Sequence, residues 1–201
     1  MSNGADRKLV LVNMSDRPES NSGRVLTYLQ HALELTVKDL HLIFDRMNLR
    51  EEMSSTSCRG CAECYRDVTA HNDEFPRLYS RILESDLLVA ASPTRYGSTT
   101  PLGNILINRS DPYFGRDAKG GFADKKAIGI VTAGSTVDRA KHTLGCLEHW
   151  FNGHHMRIVE GAVIVGASEF RDDHFPETLP EDMKEKIDEC AARIASLLIK
   201  K

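Results

Sequence analysis

No hydrophobic run in this sequence approaches the about 18–20 residues that a bilayer-spanning helix needs. No block of like charge is long enough to follow a phosphate backbone, so neither a membrane nor a nucleic acid is expected as a partner. The N-terminus Met1-Ser-Asn-Gly-Ala-Asp-Arg-Lys8 lacks the longer apolar stretch and small-residue cleavage site of a secretory leader, and a cytoplasmic protein is expected. Also missing are G-x-x-x-x-G-K-[ST] and G-x-G-x-x-G, which excludes a Walker-type nucleotide loop and a Rossmann dinucleotide fingerprint. There is no Ser–His–Asp grouping, no paired-carboxylate motif and no hydrolase elbow.

What is present fits one globular unit, residues 1–201. Of its residues 41% are hydrophobic and 27% charged, and 26 basic against 29 acidic side chains leave a net charge of −3. Five cysteines, an odd number, argue for thiols or metal ligands rather than a disulfide framework.

Apolar periodicity alternates along the chain between strand and helix patterns. Leu9 to Val12 is a short buried strand, ended by the polar stretch Asn13 to Pro18. Val25, Leu29, Ala32 and Leu33 then share one helix face, with Asn21 or Ser22 as N-cap. Val37 to Phe44 alternates as an edge strand with one wet side. Phe75, Leu78, Tyr79 and Ile82 form a helical stripe before the strand Leu87 to Ala91. Leu102, Ile105, Leu106 and Arg109 suggest a short helix, followed by an exposed Gly-rich stretch, Gly115 to Gly121. Ala127 to Val131 is a fourth strand, Ala140 to Phe151 a helix, Val159 to Val165 a fifth strand, and Met183 to Leu198 a closing amphipathic helix.

Five strands separated by helices, the central ones apolar on both faces, predict an α/β fold with a parallel sheet covered on both sides. Ligands of such sheets lie beyond the carboxyl ends of the strands. Three loops therefore carry the candidate site: Asn13 to Ser22, Ser92 to Thr100 and Thr132 to Asp138. The first offers Ser15, Arg17, Ser20, Asn21 and Ser22 at a helix N-terminus, donors suited to a phosphate. The second combines Pro93, Thr94, Arg95, Tyr96 and Gly97. The third, Thr132, Ala133, Gly134 and Ser135, can approach a flat ring. Together they favour a planar phosphorylated ligand.

One further motif stands apart. Cys58-x-x-Cys61-x-x-Cys64, in an insertion around residues 51–71, is dense enough for thiolates to turn inward on a metal or cluster. Three thiols need a fourth ligand, and His71, Asp67, Asp73, Cys146 or Cys190 could supply it. A [4Fe–4S] cluster, zinc, a thiol or disulfide role and a plain cysteine-rich turn all remain open. Cys146 and Cys190 fall on apolar helix faces and read as core thiols. His142, His149, His154 and His155 read as a solvated helix end, and Trp150-Phe151 as core or a subunit contact.

Ser92-Pro-x-x-x-Gly-Ser98 with Leu102-Gly-Asn-Ile-Leu-Ile-Asn-Arg109, Ser15-x-Arg17 with Ser20-Asn-Ser22, and Thr132-Ala-Gly134 before Thr143-Leu144 resemble the flavodoxin-like NAD(P)H-dependent FMN reductases over nearly the whole chain. The cysteine triplet lies where the iron-sulfur flavoprotein branch carries its compact motif. That resemblance implies a sheet of order 2-1-3-4-5 and a homodimer or homotetramer. It also implies FMN, with its phosphate on Ser15, Arg17, Ser20, Asn21 and Ser22 and its ring between Pro93–Gly97 and Thr132–Ser135. NAD(P)H would be the co-substrate, with electrons passing to a small-molecule or protein acceptor such as a flavin, a quinone or an iron-sulfur centre. Met14 departs from the usual Gly, and Arg95 from the usual aromatic, with Tyr96 beside it. The competing readings are a non-enzymatic electron carrier or redox or metal sensor, and a cofactor-free interaction module.

Overall fold

The computed structural model describes residues 6–54, 58–61, 63–113, 121–134, 136–165 and 179–199, without the side chains of residues 163–165. Alternating apolar residues build a parallel sheet from β1 (Arg7–Asn13), β2 (Leu42–Asn48), β3 (Leu87–Pro93), β4 (Lys126–Ala133), β5 (Arg157–Ile158) and β6 (Ala162–Val165). The helices between them are α1 (Asn21–Thr36), α2 (Leu49–Glu52), α3 (Phe75–Leu83), α4 (Pro101–Arg109), α5 (Val137–Gly153) and α6 (Glu181–Ile199). The order is β2-β1-β3-β4-β5, with β6 also paired to β4, and every pairing is parallel. This is the flavodoxin-like arrangement, with β5 and β6 sharing the fifth position.

The pleat of the central strands divides the core into two layers. Leu9, Leu11, Leu87, Val89, Ala91, Ile128 and Ile130 face α1 and α6, while Val10, Val12, Leu88, Ala90, Ala127 and Val131 face α3, α4 and α5. Residues 9–12 and 87–91 are all buried, so each large side chain among them contributes about 1.5–3 kcal/mol of burial. α1 presents Val25, Leu26, Leu29 and Leu33 at helical spacing, and α6 presents Ile187, Ala191, Ile194 and Leu198.

Two strand assignments are corrected. The edge strand runs over Leu42–Asn48, not Val37–Phe44, and Val37 instead closes α1 with its amide on Leu33 O. Asp45 and Arg46 look like strand terminators, but the sheet edge satisfies both. Arg81 on α3 binds the Asp45 carboxylate, which holds that carboxyl below its usual pKa, and also donates to Arg46 O at 2.7 Å. Arg46 in turn donates to Gly23 O at 3.2 Å. The fifth strand is interrupted at Val159–Gly161. There the backbone passes so close to β4 that a Cβ on Gly161 would lie 2.8 Å from Gly129 O and 2.7 Å from Leu144. The expected loop Gly115–Gly121 lies, up to residue 120, outside the described residues.

The histidine group at the end of α5 also divides. His154 is buried rather than solvated, with Nε2 2.8 Å from Ser110 Oγ, which also accepts from Trp150 Nε1 at 2.9 Å. Trp150 and Phe151 are core residues. Burial lowers the pKa of His154 from 6.5 to about 4, against a smaller opposing effect of Asp111. The unfolded chain thus takes a proton that the folded chain refuses. His154 contributes fully above pH 6.5, and its contribution falls as the pH drops toward 4. Urea unfolding is expected to show a loss of about 2–3 kcal/mol across that interval, and His154→Gln should flatten it. Equal pH slopes for parent and variant would remove His154 as the cause.

Candidate active site

The strand order turns at β1. From there the chain crosses to β2 on one side and later returns to β3 on the other, so the loops after β1 and β3 diverge. In the first loop Asn13 is the organising residue. Its Oδ1 accepts from the Ser15 amide at 3.1 Å, and its Nδ2 donates to Ser20 Oγ at 3.3 Å. Ser20 caps α1, accepting from the Gly23 amide at 3.0 Å. Ser15, Ser20 and Ser22 are buried, Asn21 is half-buried, and Arg17 is exposed with its amide donating to Ser15 Oγ.

The second loop is a two-residue hairpin. Arg95 and Ser98 exchange both backbone hydrogen bonds at 2.9 Å, with Tyr96 at φ 53° and Gly97 at φ 82° between them. Two positive φ values in succession are the signature of a type I′ turn, which glycine accepts freely and tyrosine tolerates at a cost. Tyr96 is consequently thrown fully into solvent at the tip. Pro93 is the last residue of β3 and is half-buried.

Hydrogen bonds close these loops into a ring. Ser22 Oγ meets Thr132 Oγ1 at 2.9 Å, tying α1 to β4. The Thr94 amide donates to Thr132 O at 2.9 Å, and Thr94 Oγ1 meets Thr143 Oγ1 on α5 at 2.6 Å. Arg95 pairs with Asp16 at 3.1 Å across the mouth, and the Thr100 hydroxyl donates to Met14 O while capping α4. Ala133 is buried and Gly134 exposed at the rim, and Ser135 lies outside the described residues. All the described residues expected of the three loops therefore lie along one sheet edge.

The sequence assigns no role to Asn13, Asp16 or Thr100, and Thr143 enters only through the Thr143-Leu144 pair of the family resemblance. Thr100 carried a usable signal, since Thr before Pro at the first helical position is an N-cap pattern. Asp16 and Thr143 act through Arg95 and Thr94, 79 and 49 residues away in the chain, whereas Asn13 acts through Ser15 and Ser20 inside its own loop.

Cys58, Cys61 and Cys64 line a separate cavity of about 400 Å³ with His71, Asp73, Glu74 and Arg109. His71 Nε2 is 3.2 Å from Cys61 Sγ, and Glu63 Oε2 is 3.9 Å from His71 Nδ1. Burial and the neighbouring Cys61 push the Cys64 thiol pKa up. Asp73 is occupied by Arg109 at 2.6 Å, and the remaining proposed ligands fall elsewhere. Cys190 is buried under α6 with its pKa raised to about 11 by that burial, as a core thiol requires. Cys146 differs from expectation: it is only half-buried, with Sγ 3.9 Å from Gly97 O, because its position on α5 faces the hairpin rather than the core.

Comparisons with known proteins agree with this architecture. An iron-sulfur flavoprotein of Clostridioides difficile strain 630 is 27% identical over 104 residues, which are 51% of this chain and 45% of that protein. The match thus spans under half of that relative's length. An oxidoreductase structure from Corynebacterium diphtheriae superimposes with a TM-score of 0.68 at 19% identity, over 97% of this chain and 98% of that one. An azoreductase structure from Bacillus anthracis strain Sterne gives 0.68 at 14% identity, over 95% and 99%. At such identities the two structures speak for the fold alone. The family model described as NADPH-dependent FMN reductase matches residues 7–170, most of the sheet included, and the chain belongs to that family.

Proposed function

We propose that the chain is an FMN-dependent oxidoreductase that takes electrons from NAD(P)H and hands them to a flavin, a quinone or another electron acceptor. The observation that supports it most directly is the hydroxyl-lined cradle of Ser15, Ser20 and Ser22, joined through Thr132 to the loops after β3 and β4. Its donor set fits a phosphate. Three serine hydroxyls and the amides of the first turn of α1 belong to that loop and helix start, Arg17 adds a cation, and the nearby Asp16 carboxylate is engaged by Arg95. Ser15, Arg17, Ser20, Asn21 and Ser22 would hold the phosphate; Pro93, Thr94, Arg95, Tyr96 and Gly97 would border one side of the ring, and Thr132–Ser135 the other.

When bound, FMN accepts a hydride from NAD(P)H and releases electrons to the second substrate. The protein's own contribution is position. The Thr94–Thr143 bond and the amide of Thr94 on Thr132 hold the hairpin at a fixed distance from β4. No described residue is required as a general base, because the hydride carries both electrons with its proton. The exposed Tyr96 ring at the mouth suits coverage by a second copy of the chain, as a homodimer or homotetramer. The fourth strand's continuity with both core layers supports treating residues 1–201 as one unit.

The [4Fe–4S] cluster suggested by the Clostridioides relative's name fits the residues poorly. The described insertion offers three thiols, and its next donor lies against one of them.

Calorimetry on apoprotein should show FMN binding well above riboflavin, and Arg17→Ala with Ser22→Ala should weaken FMN by about 10–100-fold with little change for riboflavin. Equal binding of the two by the parent protein would remove the cradle. FMN-loaded protein should oxidise NAD(P)H when a soluble quinone is supplied, and bound FMN without NAD(P)H oxidation would favour the electron-carrier reading.

Arg95 gives a second test. Its guanidinium is half-exposed and its pairing with Asp16 is worth little in water, so it can exchange that partner for a phosphate of the incoming nucleotide. Arg95→Ala is expected to raise the KM for NADPH about 3–10-fold while FMN content stays near that of the parent. Unchanged kinetics would confine Arg95 to the Asp16 pair.

A further inference from the structure

We propose that the insertion between α2 and α3 is a mononuclear zinc site, with Cys58, Cys61, Cys64 and His71 as ligands and Glu63 orienting His71. The chain spacing is Cys-x-x-Cys-x-x-Cys followed by His seven residues after the last thiol, and all four side chains line one cavity of about 400 Å³. Cys61 Sγ, a carboxylate oxygen of Glu63 and a ring nitrogen of His71 all lie within 4.8 Å of one another, and Cys58 and Cys64, farther apart on the same cavity wall, would close on the ion as it binds.

Distance separates one metal ion from a cluster. Around tetrahedral zinc, with bonds of about 2.3 Å to sulfur and about 2.0–2.1 Å to nitrogen, ligand atoms sit about 3.5–3.8 Å apart. In a four-iron cubane each ligand binds a different iron, which places the donor atoms on the order of 6 Å apart. The 3.2 Å hydrogen-bond contact between Cys61 Sγ and His71 Nε2 is a few tenths of an ångström from the first geometry and far from the second. A cubane would have to force that pair apart to about twice its separation.

The surroundings suit the same ion. His71 turns Nε2 to the thiol and Nδ1 toward Glu63 at 3.9 Å, the carboxylate–histidine–metal order that fixes a ligand ring's tautomer. The Gly60 amide donates to Cys58 Sγ at 3.4 Å, a bond that favours the thiolate. Binding expels three thiol protons, so three thiolates, one neutral imidazole and Zn²⁺ carry a net charge of −1. Of the two arginines that line the cavity, Arg109 is taken by Asp73, which leaves the Arg59 cation to face that charge. Four protein ligands leave no open coordination position, which makes the ion a structural clip for the insertion and not a catalyst.

The test is metal and sulfide analysis of the whole protein, expressed with iron and zinc both supplied and purified without oxygen, so that a labile cluster would survive. About one zinc per chain with no acid-labile sulfide is expected. His71→Ala and Cys61→Ser should each lower zinc occupancy at least about fivefold, with FMN content unchanged. Should a variant fail to fold, cobalt titration of chelator-stripped parent protein gives an independent reading. A thiolate-to-cobalt charge-transfer band and intense tetrahedral d–d bands are expected. Iron with sulfide, iron alone, no metal, cobalt without those bands, or zinc retained in both variants would each overturn the proposal. None of these readings depends on flavin binding, so they stand apart from the outcome for the cradle.

Discussion

The parallel pairing of β1 with β3 is the constraint on which the site depends. Parallel neighbours cannot be joined by a hairpin, so the chain must leave β1, cross through α1 and β2, and return through α3 before β3 can pair. The crossover helices pack on opposite faces, α1 in one core layer and α3 in the other. The loops that leave β1 and β3 are thereby pulled apart, and polar residues can gather between them without burying unsatisfied groups. Leu9↔Leu87 through Asn13↔Ala91 fixes the register, which brings Asn13 level with the end of β3. A slip of one residue would exchange the two core layers as well as misplace the loop.

Within that edge, buried hydroxyl bonds outweigh the ion pair. Ser22–Thr132 is buried and Thr94–Thr143 part-buried, each worth about 0.5–1.5 kcal/mol and expensive to leave half made. The Arg95–Asp16 pair is about 40% exposed on both sides and adds little to stability. Strength and exchangeability are thus distributed differently. The hydroxyl ring fixes the loops, while the charged pair at the mouth is the contact that an anionic substrate can displace at small cost.

Most of the sheet was legible because its central strands are apolar on both faces and alternate with helical stripes, a combination that points to a doubly covered parallel sheet. The errors fell where a polar residue is satisfied by a distant partner. Asp45 and Arg46 belong to β2 because Arg81 and Gly23 O receive them, and His154 is buried because Ser110, 44 residues away, bonds its ring. The same reason hid Asp16 in the site, whose partner is Arg95. Arg17, by contrast, was legible as a cation near a helix start, yet its side chain stands in solvent, since neither spacing nor composition encodes direction. The break at Gly161 was also unreadable, because it answers to Leu144 on the facing helix and not to its own strand.

The cysteine loop obeys a different logic from the rest of the edge. Every loop of the cradle is held by strands that end in it, whereas residues 53–74 leave a four-residue helix, α2, and return only at α3. Among its described residues, Cys64 alone of the three thiols is buried, so apolar burial provides little to order the segment. Among the described residues it is attached at both ends: Met53 is buried in the core and Ser54 donates to Glu74 at 3.2 Å, while Arg109 binds Asp73 and lies 4.2 Å over the Phe75 ring. A segment anchored at its ends, with thiols between them, gains more from one shared ion than from any set of surface hydrogen bonds, because the ion draws four points of the chain together at once. The cradle, already closed by hydroxyls on rigid strands, has no such need.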